Sequence, residues 1–405
     1  MDEDSKVQAI LQNPPLSLSE KRFLLTCSDD VVSSDEKAKI KEELLESVKE
    51  KGILFVSNSV ESMFVQTNLL TNAIPIYSLM SSQLDMLPFY LALVEQFKWP
   101  RDEKIVATME KNIEEKVKDL KAKIVDAEEN LGESEVREGL LNEAEYYARI
   151  GDKEKAVSAY RVAIEKTVGL GEKLDVVFSQ VRLGLFWDDE DLTRRNIEKS
   201  KEMLVSGGDW ERRNRSKVYE GLHLMGKREW ESATKLFLET LATYTCVELF
   251  DYNTFIFYTV ILSLVTLPRL ELKKRVIDSP EVLSGIDETA SLGDLLNSFY
   301  NLDYRVFFRA LAVITDRLKR DRYLSSMAGY FCREMRVKAY CQLLESYKSV
   351  TLASLAEAFG VSEEFIDKEL SRFINSGRVH CKIDAVRGVV ETIRVDSKNA
   401  QYQVS

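Results

Sequence analysis

A chain of 405 residues, 45% hydrophobic and 30% charged, has room for two or three domains and a sizeable core. Its formal net charge of -11 supplies no global field that would draw in nucleic acid or an anionic membrane, so proteins are the expected partners. Two histidines and five cysteines leave little material for nucleophilic or metal chemistry.

The scarcity of Pro (7) and Gly (17) predicts a mostly helical protein. Cys27, Cys246, Cys332, Cys341 and Cys381 show no paired spacing and read as reduced intracellular thiols. The opening "MDEDSKVQAI" is acidic and lacks the apolar core of a signal peptide. There is no H-x-H, H-E-x-x-H or C-x-x-C pattern, and no phosphate loop. His223 falls in a helical pattern and His380 in a strand pattern beside Cys381; both read as structural or surface residues. No catalytic, cofactor, metal or small-molecule site is predicted, so the chain is not expected to be an enzyme.

Residues 1–51 read as short helices interrupted at Pro14-Pro15, with "SLSEKRFLL" offering a capping Ser and a Glu in the first turn. Residues 52–84 carry a single charged residue, Glu61, and no periodic apolar face; they are expected to be an irregular insertion.

Residues 85–245 read as tetratricopeptide-like helical repeats. Ile105, Met109, Ile113, Val117, Leu120, Ile124, Ala127 and Leu131 recur every three or four positions, one apolar stripe on a long helix. Hairpins follow. Ala144 precedes Ala156, Tyr160 and Ala163; Gly184 precedes Asn196, Ser200 and Met203; Gly221 precedes Ala233, Phe237 and Thr240. In each, a small residue is followed twelve positions later by its crossing partner, which lets two helices approach closely. "WDDEDL" fails as a calcium loop because Thr193 stands where Gly is needed and Lys199 where Glu is; it reads as an interhelical turn. The cluster Arg212, Arg213, Arg215 and Lys217 beside Trp210 invites a nucleic-acid reading, but it is short and set among acids that can pair with it.

Residues 246–349 continue as helices. Phe255 to Leu267, "FIFYTVILSLVTL", is 13 residues long, too short to span a bilayer, and reads as a buried helix stopped by Pro268. Residues 350–396 change period. Thr351 to Phe359 is a short helix, Gly360-Val361 a turn, and Ser362 to Ser376 a second helix with Gly377 at its end. "RVHCKID" and "GVVETIRV" then alternate as two strands, making a winged helix. Glu363, Glu364, Asp367 and Glu369 outweigh Lys368 and Arg372 on the second helix, so phosphates would repel it. Phe365, Ile366, Leu370, Phe373 and Ile374 are expected to form its packing face.

The expected fold is thus mostly α: a right-handed solenoid of degenerate tetratricopeptide-like helix pairs capped by a C-terminal winged helix, the architecture of PCI domains. Four stretches sharpen this: "DAEENLGESEVRE", "RIGDKEKA", "GGDWERRNRSKVYEGL" and "QLLESYKSVTLASLAEAFGVSEEFIDKELSRFINSGRVHCKID". Together with "DSKNAQYQ" they closely resemble the 26S proteasome non-ATPase regulatory subunit 6 family, from about Met86 to Gln403. Family members run almost directly into a stretch like "MLPFYLALVEQF" and continue beyond "NAQYQ" into a further helix. By that measure residues 52–84 are interposed and residues 397–405 form a truncated tail.

The resemblance implies a non-catalytic scaffold subunit of the proteasome regulatory particle lid, cytoplasmic and nuclear, serving ubiquitin-dependent degradation. Its implied partners are other lid PCI subunits, the lid deubiquitinating subunit and the ATPase ring. Winged helices of neighbouring PCI subunits pack side by side in the family. Val389, Val390, Glu391, Thr392 and Ile393 are expected to bind a partner as an unpaired strand edge. A PCI scaffold of the signalosome or of a translation initiation factor complex remains the alternative, and a nucleic-acid-binding winged helix a more distant one.

Overall fold

The structure, a computed structural model, describes residues 14–49, 85–286 and 290–393. Residues 52–84, expected to be an insertion, and 397–405, expected to be a truncated tail, lie outside the described residues. Two compact units divide between Tyr219 and Glu220, inside a helix of the third hairpin.

The first unit is built from α1 (Leu16–Thr26), α2 (Ser34–Lys49), α3 (Leu87–Phe97), α4 (Glu103–Asn130), α5 (Glu133–Ile150), α6 (Lys153–Lys166), α7 (Leu170–Trp187) and α8 (Glu190–Ser206). The start of α9 (Trp210–Gly226) completes it. Asp102 caps α4 by accepting from the Lys104 amide. The α4 stripe is real: Met109, Ile124 and Ala127 are buried, while Ile113, Val117 and Leu120 pack on the cluster of Ala144, Tyr147, Ile150, Ala156 and Tyr160. Leu131 leaves it, because the helix stops at Asn130 and Leu131 turns out as an extended C-cap, 57% exposed.

The hairpins close tightly, but the nearest neighbours of Gly184 and Gly221 are Thr193 and Phe237 and not the expected Asn196 and Ala233 twelve positions on. Ala144, Ala156 and Ala163 are fully buried. A methyl group on Gly184 would stand 2.5 Å from the Thr193 hydroxyl and 3.1 Å from its backbone nitrogen. Between those helices, Asp188 closes α7 in the left-handed region and Asp189 caps α8, accepting from the Asp191 and Leu192 amides and pairing with Lys153 at 2.5 Å. "WDDEDL" is thus helix punctuation. Two of the four basic residues of the arginine cluster are likewise paired within the unit, while Arg213 is exposed. Arg212 reaches Asp175 at 2.7 Å, and Arg215 pairs with Glu211 at 3.1 Å and Asp175 at 3.6 Å.

The second unit begins with the end of α9 and α10 (Trp230–Thr240), where a methyl group on Gly221 would lie 2.4 Å from the Phe237 ring. α11 (Tyr252–Thr266) is buried continuously from Phe255 to Leu264, as its sequence implied, and Pro268 starts the next turn. Lys338 reaches over to donate to the Leu264 and Val265 carbonyls at 2.8 and 2.6 Å, satisfying acceptors that the end of α11 leaves open. α12 (Arg269–Leu272), α13 (Pro280–Ile286), α14 (Ala290–Asn301), α15 (Tyr304–Arg320) and α16 (Ala328–Leu344) follow. No helix among the described residues is long and apolar enough to cross a membrane.

Candidate interaction surface

The chain ends its described course in β1 (Ser349–Thr351), α17 (Leu352–Phe359), α18 (Glu363–Asn375), β2 (Cys381–Asp384) and β3 (Val389–Thr392). Each boundary has a chemical cause. Thr351 caps α17 through the Ser354 amide, and Gly360 ends it in the left-handed region at φ 68°. Ser362 caps α18 through the Phe365 amide, and Gly377 follows its end at φ 69°. Asp384 accepts from the Val386 and Arg387 amides, and Gly388 at φ 62° closes the turn into β3. The helix–turn–helix–hairpin expected from the sequence is present.

Two kinds of contact hold this module to the helices before it. The first is aromatic: the Phe359 ring lies 4.7 Å from Tyr304, 4.9 Å from Phe308 and 4.7 Å from Tyr340, centroid to centroid. The second is ionic. Glu369 is buried, accepts from the Tyr340 hydroxyl at 2.5 Å and pairs with Arg336 at 2.6 Å. Arg378, just after α18, pairs with Glu334 of α16, itself only 6% exposed. The buried Tyr340 hydroxyl facing that carboxylate is pushed far above its ordinary range, burial being the larger cause.

The exposed face of α18 therefore differs from the expectation in two side chains. Glu369 points inward to its partners, leaving Glu363, Glu364 and Asp367 against Lys368 and Arg372. Phe365 does not join Ile366, Leu370 and Phe373 in the core; it is 39% exposed. The face stays acidic with one aromatic in it, a poor surface for a major groove and a suitable one for protein.

The strand expectation needs a larger correction. Val389 to Thr392 is not an unpaired edge. The sheet order is β1-β3-β2, so β3 is the central strand, antiparallel to both neighbours. Val390 faces Val350 on one side and Ile383 on the other and is fully buried; the Ile393 amide is bonded to the His380 carbonyl at 3.1 Å. Only the side chains of Glu391 and Ile393 reach solvent freely. The cause is β1, a three-residue strand whose pattern is too short to read in the sequence.

β1 itself supplies an outer edge. Lys348 accepts from the Thr392 amide and Leu352 donates to the Gly388 carbonyl, so alternate residues bond inward. Ser349 and Thr351 between them direct their amides outward. A cleft of about 310 Å³ runs beside this edge, lined by Leu343, Tyr347, Val350, Ser354 and Leu355, with Tyr347 54% exposed. An extended segment laid there would meet backbone donors and an apolar wall.

The thiols and the imidazole in and beside this module are poorly tuned for chemistry. Burial pushes the Cys381 thiol up to about 11 and raises Cys341 as well, the opposite of an activated nucleophile, and His380 is exposed at the start of β2. Among the described residues no group of three His, Cys, Asp or Glu side chains could hold a metal ion.

Comparison with known proteins gives this architecture a family. A family model for the 26S proteasome subunit RPN7 matches residues 102–275, and one for the PCI domain matches residues 310–393. The 26S proteasome non-ATPase regulatory subunit 6 of Dictyostelium discoideum is 51% identical over 320 residues, covering 79% of this chain and 84% of that protein. Its Arabidopsis thaliana homolog is 44% identical over 394 residues, 97% of this chain and 93% of the relative. Similarity to COP9 signalosome complex subunit 1 of Arabidopsis thaliana is 28% over 141 residues, 35% of this chain. The chain belongs to the 26S proteasome non-ATPase regulatory subunit 6 (RPN7) family.

Proposed function

We propose that the protein is a non-catalytic scaffold subunit of the lid of the proteasome regulatory particle, cytoplasmic and nuclear, acting in ubiquitin-dependent degradation through contacts between PCI domains. Family membership over nearly the whole chain carries this reading. The local similarity to a signalosome subunit spans only about a third of the chain and favours the signalosome alternative far less. On this reading the partners are other lid PCI subunits, the lid deubiquitinating subunit and the ATPase ring. The winged helix offers its neighbour the outer edge of β1 with the Tyr347 cleft, and the solvent-facing side chains of Glu391 and Ile393 add to the same module.

Val390→Pro is no test of this surface, because it would break both ladders of the central strand and the module with them. Ser349→Pro is. It removes an outward amide and leaves the bonds from Lys348 and Leu352 to β3 in place. A tagged full-length chain should bring down lid subunits and the ATPase ring from cell extract, and Ser349→Pro should lower that recovery several-fold at unchanged melting temperature. Recovery of signalosome subunits in their place would overturn the function. Undiminished recovery by the proline variant would remove β1 from the contact.

A further inference from the structure

A cleft of about 500 Å³ opens between α4 and α5 in the first unit. Leu120 and Ala127 of α4, with the Leu131 side chain that the end of the helix turns outward, give it an aliphatic wall. Asp126 of α4 and Glu135, Glu138 and Glu145 of α5 also line it, against the cations Lys123 and Arg149. Two of the four carboxylates have partners: Glu135 accepts from the Ser134 hydroxyl at 2.8 Å and Asp126 from the Asn130 amide at 2.7 Å. Glu138 and Glu145 make no hydrogen bond or direct ion pair among the described residues. Arg149 lies over the Tyr146 ring, 5.2 Å from its centroid.

The second observation is a phenol. Tyr146 lines the same cleft and is only 6% exposed, and its buried hydroxyl meets no hydrogen-bond partner among the described residues. A buried hydroxyl left unbonded costs free energy that a ligand can recover. The phenol oxygen and the Glu145 carboxylate both accept, so a cation carrying several N–H donors serves both. Burial raises the Glu145 carboxyl to about 7, against the pull of Arg182 of α7 and of Arg149, and Tyr160 of α6 is a further ionisable neighbour. A cation brought beside it favours the ionised form.

We propose that this cleft binds a linear aliphatic polyamine, one terminal ammonium between Glu145 and Tyr146, the other at Glu138, and the methylene chain along Leu120, Ala127 and Leu131. Glu138 and Glu145 are seven residues apart on α5, about 10 Å along the helix, so a single ammonium cannot serve both. Among the described residues no three acidic, His or Cys side chains are placed to hold a metal ion, which favours charge spread along a chain over a point cation. Carboxylates outnumber cations here, so a phosphate is repelled.

The test is isothermal titration calorimetry of the full chain with spermidine at low salt and pH 7.5. Saturable binding at one site is expected. Glu138→Gln combined with Glu145→Gln should weaken it about tenfold or more. Glu110→Gln combined with Glu114→Gln removes the same charge from exposed positions of α4 outside the cleft and should leave affinity within about twofold. Tyr146→Phe should weaken binding about threefold at an unchanged or higher melting temperature. Glu145 must be ionised to receive the ammonium, so affinity should fall about fivefold between pH 7.5 and 6, and Glu145→Gln should flatten that dependence. Absence of saturable binding, or an equal loss in the two double variants, overturns the proposal. So does a pH dependence that Glu145→Gln leaves unchanged. Equal affinity for acetyl-lysine methylamide, which carries one ammonium, overturns it in favour of a lysine side chain as the occupant.

Discussion

The hairpin α7/α8 and the winged helix hold themselves together in opposite ways. At the hairpin, the absence of a side chain is what matters: Gly184 lets the backbone of α7 come against Thr193 at a distance no larger residue permits. At the winged helix, polar side chains are placed inside: Glu369 with Arg336 and Tyr340, and Glu334 with Arg378. Apolar close packing is generic and repeats along the first unit. Buried ion pairs are directional, and losing one member leaves the other uncompensated. The second arrangement therefore fixes one orientation of the module on α16, which is what a surface offered to a neighbouring subunit requires.

The largest effect should come from the ionic side. Glu369→Ala strips both the Arg336 guanidinium and the Tyr340 hydroxyl of their carboxylate and should cost about 3 kcal/mol, the low end for breaking a buried pair because Arg336 keeps 27% of its side chain in water. Urea unfolding of the second unit, followed by tryptophan and tyrosine fluorescence, measures it. A loss below about 1 kcal/mol would mean the pair behaves as a surface salt bridge, and the contrast with the hairpins would fail.

Next comes the packing side. Gly184→Ala puts a methyl group 2.5 Å from the Thr193 hydroxyl and 3.1 Å from its amide nitrogen, and backbone cannot rotate away as a flexible side chain would. The expected loss is about 2 kcal/mol, read as a lower thermal midpoint of the first unit. The same substitution at exposed Gly226, where nothing lies within 4 Å, should be neutral or slightly stabilising. Equal effects at the two glycines would dissolve the argument from close approach.

This difference also decides what could be read from the sequence. The hairpins were legible because small residues recur at a fixed short separation, as at Ala144 and Ala156, although Gly184 meets Thr193 and not Asn196. The helix α11, the cap at Ser362 and the interhelical turn at Asp189 were legible for the same local reason. Glu369 was not. It sits in an acidic helix and reads as one more solvated carboxylate, and its partner Tyr340 is 29 residues away. Arg378 and Glu334 are 44 apart. β1 was missed because three residues show no alternation, and that omission moved the open edge from β1 to the buried β3.

The smallest effect probes a carboxylate on the hairpin side that has no such partner. Burial raises the Glu145 carboxyl from its ordinary 4.5 to about 7, against the pull of the Arg182 and Arg149 guanidinium groups. The folded state thus holds a proton that the unfolded chain has already released between about pH 4.5 and 7. Stability must fall as pH rises through that window and level off above it. Glu145→Gln keeps the shape and removes the titration. The full shift would be worth a few kcal/mol, but Glu145 is only partly withdrawn from water, so about 1 kcal/mol at pH 8 is the expected gain. That corresponds to a rise of roughly 3 °C in the thermal midpoint of the first unit. At pH 4, where both states carry the proton, Glu145→Gln and the unaltered chain should melt together. A gain of the same size at both pH values would show that packing, and not ionisation, sets the cost of this side chain.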